Sequence, residues 1–218
     1  EPGYRAEPQA INRRHGTLLV MDETHPSSTG PGGYARAHGI QPDALVLGKP
    51  VGGGVPCAVY GMSADLAARA VKAKHDAPPG HSGIGTTLTG NMLAMAAMRA
   101  ALSEVMTPAA YDYMLALAER LAAGLRTVIA SHGLPWCVTQ VGARTEFQFC
   151  PSPPRNGSEA DGVLDGELEH LIHLGLLNRG VMITPFHNMM LVCPQTTTDD
   201  VAQLIGALDE VLAQITPA

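Results

Sequence analysis

Two residue types capable of covalent and acid–base chemistry stand at the ends of two short apolar runs. Leu18-Leu19-Val20-Met21 stops abruptly at Asp22-Glu23, and Ala44-Leu45-Val46-Leu47 stops at Gly48-Lys49, with Gly52-Gly53-Gly54 just beyond. Apolar runs of this length, without alternation, suit strands covered on both faces of a parallel sheet. Open α/β sheets bind ligands just past the carboxyl ends of such strands. One strand therefore delivers a carboxylate and the other an amine to the same crevice. A lysine desolvated among small residues is a nucleophile for a carbonyl carbon and can form a Schiff base, and three glycines let the backbone approach a ligand closely. On residue type alone each side chain also has a plainer use: a lysine reaching into solvent from a strand end, an aspartate capping a loop.

The order of apolar strand, Asp22-Glu23, Pro42-Asp43, apolar strand, Gly48-Lys49, three glycines and Pro56 resembles the class III aminotransferases. These are fold-type I enzymes that use pyridoxal 5'-phosphate (PLP), and the similarity is to the branch containing glutamate-1-semialdehyde aminomutase. It continues through His81 to Ala97 and into the C-terminal part, covering nearly the whole chain. The resemblance implies an α/β fold: residues 1–105 as the second half of the PLP-binding large domain, mainly a parallel sheet with helices on both faces, then a small α+β domain over 106–218. Members are about twice this length, so the chain is expected to be the C-terminal half of a longer polypeptide.

The same resemblance assigns roles. Lys49 would hold PLP and move a proton between substrate and cofactor, while Asp22 would pair with the pyridine nitrogen and keep the ring an electron sink. Thr24 and His25 depart from the family, which usually has Val and Gln there. Thr24 can still pack under the ring, and His25 either donates to the phenolic oxygen or is surface decoration. In Gly85 to Asn91, Thr87 with its neighbour Thr86 matches the segment that reaches across a homodimer interface to the phosphate of the other subunit's cofactor. A loop entering a helix offers free N–H groups to an anion; Thr89 capping the following helix is the plainer use. Where many members carry an arginine for a keto-acid carboxylate, this chain has Thr184-Pro185-Phe186-His187. Arg144 could clamp a carboxylate but reads better as a surface cation. His170 and His173 have a metal-compatible spacing but no third ligand, so they read as helix surface.

The expected activity is ping-pong transfer of an amino group between a small-molecule amino donor and a keto or aldehyde acceptor. The alternatives are an aminomutase or racemase with the same cofactor, and, from a different class, a non-catalytic aminotransferase-like sensor. Bulk properties narrow the field. With 218 residues, 45% hydrophobic and 16% charged, the chain is long and apolar enough for a buried core. A net charge of −6 without a basic cluster argues against nucleic acid. No apolar run approaches the length of a membrane span. Cys57, Cys137, Cys150 and Cys193 show no C-x-x-C spacing, which suits reduced thiols in the cytoplasm.

The elements that must position these residues follow from turn and cap signals. Glu1 to Arg14 shows no helix or strand pattern, Pro26 to Gly33 is loop, and Tyr34 to His38 is a short helix closed by Gly39. Ala58 to Met62 is a strand, Ser63 caps a helix over 64–74, and Asn91 to Glu104, apolar all round, is expected to be a buried helix. Thr107-Pro108 opens a helix to Ser131 with a stripe of Leu115, Leu121, Leu125 and Val128. Strands are expected near Cys137-Val138, Thr145 to Phe149, Val181 to Ile183 and Met190 to Cys193. Pro151 to Gly162 reads as loop, Leu164 to Asn178 as helix, and the last helix runs from a Thr198 cap to Ile215.

Overall fold

The computed structural model describes residues 6–81, 83–85 and 87–215, and the chain divides into two compact units, residues 1–108 and 109–218. Unit 1 opens with α1 (Ala6–His15), where the sequence pattern had suggested nothing regular. Its signal is charge order rather than apolar period. Glu7 lies in the first turn and Arg13, Arg14 and His15 in the last, matching the helix dipole.

β1 (Val20–Asp22) pairs in parallel with β2 (Ala44–Leu47), setting Val20 opposite Ala44 and Asp22 opposite Val46. β2 pairs antiparallel with β3 (Val59–Met62), giving a mixed sheet in the order β1-β2-β3. Within this chain Val20 is 56% exposed and Tyr60 47%. Within unit 1 the sheet is backed along β3 by α3 (Ala64–His75), whose N-cap Ser63 accepts a hydrogen bond from the Leu66 N–H.

α4 (Met92–Ala100) continues into a π-helical turn, Ala101–Val105. It is not the buried helix expected. Met92 is 83% and Leu93 69% exposed, and only Ala94 and Ala101 are buried, on the side that packs against the Lys49–Gly52 turn. A helix without a polar face gives no signal of which side turns inward. Here the small residues do, because they admit the turn.

Unit 2 is built on α5 (Pro108–Ser131), which buries Tyr111, Met114, Leu117, Leu121, Leu125 and Val128. Leu121, Leu125 and Val128 are buried as expected, while Leu115 is only half-buried and the stripe continues through Tyr111, Met114 and Leu117 instead. β4 (Cys137–Val141), β5 (Arg144–Gln148) and β6 (Met189–Leu191) form an antiparallel sheet in that order. Val181 to Ile183 forms no strand; it lines a cavity of about 600 Å³ with Met189, Met190 and Leu204. The expected 151–162 loop contains a short α6 (Gly157–Asp161) capped by Asn156.

α7 (Gly166–Leu177) and α8 (Thr198–Ile215) complete the layer. They meet at Gly175, where a Cβ would lie 2.8 Å from a methyl of buried Val211; only glycine permits that approach. The cap of α8 is Thr197 rather than Thr198: its Oγ1 accepts from the Asp200 N–H at 3.1 Å, while the Asp200 carboxylate accepts from the Thr197 N–H at 2.7 Å. Among the described residues no helix is long and apolar enough to cross a membrane.

Candidate active site

The parallel β1–β2 pair ends with both chains on the same side of the sheet, and the ladder extends one step further through Glu23 N–H to Val46 C=O at 2.8 Å. Beyond that bond the two chains enter turns that carry Thr24 and His25 on one side and Lys49 on the other. After β1 the chain runs Asp22, Glu23, Thr24, His25, then a 3₁₀ turn, Pro26–Thr29. After β2 it runs Gly48 and then the 3₁₀ turn Lys49–Gly52. Thr24 lies against Gly48, where a Cβ would sit 3.6 Å from the Thr24 hydroxyl.

Lys49 is held with φ 47, a left-handed backbone for a residue that carries a Cβ. Strain of this kind gathers where structure serves function. Its ammonium nitrogen lies 2.8 Å from His25 Nε2. The expectation that Lys49 is desolvated is not met within this chain, because Lys49 is exposed; the small residues around it expose the amine instead of burying it.

Asp22 is exposed, with Oδ1 accepting from the Thr24 N–H at 2.9 Å. The Thr24 hydroxyl and N–H hold its carboxyl below the usual carboxylate range; desolvation opposes them, and weaker attractions to Lys49 and His25 act in the same direction as Thr24. Asp22 is thus an ionised carboxylate available to a cation.

Glu23, next to it, is 1% exposed and was given no role from sequence. It turns inward, and its two carboxylate oxygens accept from the Tyr34 and Ala35 N–H groups at 2.9 and 2.6 Å. These are the first free amides of α2 (Gly33–Ala37), a helix start that favours a negative charge. Gly33 is obligatory there: its φ is +69, and a Cβ would lie 2.6 Å from Glu23 Oε2. Glu23 therefore ties the tip of β1 to the start of α2, and so holds the turn that carries Thr24 and His25 beside Asp22. A sequence signal existed, an acid ahead of a glycine-flanked helix start, but its partners lie 11 and 12 residues downstream.

Of the residues picked from sequence, the structure gathers Asp22, Thr24, His25 and Lys49. Thr87 is on another loop, exposed in the turn leading to α4; Thr86 lies outside the described residues. The cap of α4 is Asn91, whose Oδ1 accepts from the Ala94 N–H at 2.9 Å, rather than Thr89. Arg144 is on β5 and contacts Glu146, its side chain 29% exposed, so it is a half-buried ion-pair member and not an open surface cation. His170 is exposed on α7 and His173 half-buried, and no group of three metal-binding side chains occurs among the described residues.

The family model for Aminotransferase class-III matches residues 1–212. The chain belongs to the class III aminotransferases. It is 33% identical over 209 residues to glutamate-1-semialdehyde 2,1-aminomutase 2 of Brevibacillus brevis, covering 95% of this chain and 47% of that protein. Among solved structures it is similar to a glutamate-1-semialdehyde aminomutase from Pseudomonas aeruginosa in complex with PMP (TM-score 0.93, 45% identity, 98% of this chain and 48% of that one). It is also similar to a β-phenylalanine aminotransferase from Variovorax paradoxus (TM-score 0.85, 29% identity, 98% and 48%). The chain thus spans about half the length of the relatives it matches.

Proposed function

We propose that the protein carrying this chain is a PLP-dependent aminotransferase that moves an amino group between a small-molecule donor and a keto or aldehyde acceptor in two half-reactions. The observation that carries this reading is the meeting of a primary amine, an imidazole and an ionised carboxylate at the tips of two parallel strands. That donor set fits the cofactor: an amine for its aldehyde, a carboxylate for its ring nitrogen, an imidazole for its phenolic oxygen. When bound, PLP supplies an electron sink for the charge left when a proton departs from the substrate's α-carbon. Lys49 would hold the cofactor, release it to substrate, and then carry that proton as a free base. Asp22, kept ionised by Thr24, would hold the ring nitrogen protonated. Thr24, seated on Gly48, would pack under the ring. In this reading residues 1–105 are the second half of the cofactor-binding domain and 106–218 the small domain.

A second reading, an intramolecular aminomutase or racemase, draws support from relatives named glutamate-1-semialdehyde aminomutase at 33% to 46% identity. A homodimer accompanies either reading. Its support is the exposed apolar face of α4 and the preceding turn, with Leu88, Met92, Leu93 and Met95 between 52% and 83% exposed beside Thr87; a second copy would cover that face and bring Thr87, with Thr86, to its cofactor phosphate. A cytoplasmic location agrees with four cysteines that form no disulfide.

The test is spectroscopic and kinetic. Full-length protein with PLP is expected to show an absorbance band at the edge of the visible, lost in Lys49→Ala. Turnover is expected to require both a donor and a separate acceptor; turnover of one substrate alone would move the assignment to the mutase or racemase. An unchanged spectrum in Lys49→Ala would end the PLP reading.

A further inference from the structure

His25 stands in an unusual relation to the lysine. Its Nε2 is 2.8 Å from Lys49 Nζ, a full hydrogen bond between two groups that are each able to carry a positive charge. Two cations repel at that separation, so the bond requires a proton on one side and a lone pair on the other. The ring is presented from a fixed start: the His25 carbonyl accepts from the Ser28 N–H at 3.2 Å and from the Ser28 hydroxyl at 3.1 Å, and Pro26 opens the turn behind it. Asp22 interacts electrostatically with Lys49 and with His25. Glu23 is turned away onto the Tyr34 and Ala35 amides and does not compete for the imidazole.

We propose that His25 is the proton partner of Lys49, which makes it a participant in capture of the carbonyl compound and not only a neighbour of it. The inference rests on the PLP reading above and deepens it. The Lys49 ammonium gives one proton to the imidazole, and the neutral nitrogen then adds to the aldehyde carbon, forming the C–N bond. A remaining nitrogen proton moves to the aldehyde oxygen. The imidazolium returns its proton as that oxygen leaves, so one water is released and the imidazole ends neutral. Charge balances: a monocationic amine becomes a monocationic C=N link. No oxidant or reductant is needed. An imidazole suits this exchange because its proton affinity lies near neutrality, whereas an amide at the same position could hold the lysine but could not accept its proton.

The experiment uses full-length protein stripped of cofactor, with pyridoxal 5'-phosphate as the probe. Capture is stopped at intervals by borohydride, and the labelled Lys49 peptide is counted by mass spectrometry between pH 6 and 9. Wild type, His25→Gln and His25→Phe are compared. Near neutral pH His25→Gln is expected to capture about a hundredfold more slowly, the scale of general acid–base assistance, while reaching the same final occupancy. Its rate should climb with pH as solvent takes over the proton, and free imidazole in the buffer should restore much of the loss. Equal rates in wild type and His25→Gln overturn the proposal. So does a slow variant that neither imidazole nor pH rescues, since that marks a packing role. His25→Phe, which removes all hydrogen bonding, should be at least as slow as His25→Gln; a faster rate also overturns it. No label on Lys49 of wild type sinks this inference and the PLP reading together, whereas label at equal rates sinks this inference alone.

Discussion

Asp22 and Glu23 are adjacent acids with opposite duties, and replacing each by its amide separates them. In Glu23→Gln the side chain keeps its shape, but one of the two oxygens becomes an NH2 group facing an N–H, either Tyr34 at 2.9 Å or Ala35 at 2.6 Å. One charge-assisted bond is lost and a buried amide is left facing a donor. A hydrogen bond to a charged group contributes about 1.5–3 kcal/mol, so the loss is of that order. Glu23→Ala strands both amides at about 1–3 kcal/mol each, or roughly 2–6 kcal/mol in all. Against a typical stability of about 5–15 kcal/mol this is a large fraction. Two measurements check it on the full-length protein. Hydrogen exchange should show lost protection at Tyr34 and Ala35, and with a urea slope of about 2 kcal/mol per molar the Glu23→Gln midpoint should fall by about 1 M. Asp22→Asn is the comparison: its carboxylate is exposed and keeps an oxygen for the Thr24 N–H, so it should cost less than Glu23→Gln. Unchanged exchange at Tyr34 and Ala35 in Glu23→Gln would refute the claim that this buried carboxylate ties the tip of β1 to the start of α2.

Two further outcomes follow from groups in unit 2. The Thr197 backbone N–H, with its hydroxyl, holds the Asp200 carboxyl below its ordinary value of 3.8. Its stabilising effect is therefore fully present above the unfolded value near 4 and fades as pH falls through the lower folded value. Asp200→Asn should lower stability at neutral pH and flatten the acid limb of a stability-versus-pH curve; an acid limb identical to that of wild type would count against the cap. Burial and the neighbouring Cys150 push the Cys137 thiol up to about 11. At pH 8 its thiolate fraction is then about one in a thousand, against roughly a quarter for an ordinary thiol. Iodoacetamide followed by peptide mapping should therefore label exposed Cys193 at least a hundredfold faster than Cys137.

The strand tips were legible because their signal is local: an apolar run, then an abrupt Asp or Gly-Lys. Their neighbourhood was less so. His25 was visible as a departure, but its approach to Lys49 depends on two turns folding toward each other across 24 positions. Glu23 was missed for the same reason, its partners lying beyond a glycine-rich loop. α1 has ordered charges and too few apolar residues to show a period. Val181 to Ile183 has the composition of a strand, yet β6 is the strand that pairs with β5, and the run lines a cavity instead. Thr197 and Thr198 are equivalent by composition; only the three-residue spacing to Asp200 picks the first. Burial of α4 was overestimated because apolar composition says that a face will be covered, without saying by which element.

The left-handed backbone at Lys49 sets two requirements against each other at one position. Glycine or asparagine would sit at φ 47 with less strain, and neither brings an amine. A sequence tuned for an easy turn and one tuned for chemistry would therefore differ here first. The lysine marks which of the two this chain follows.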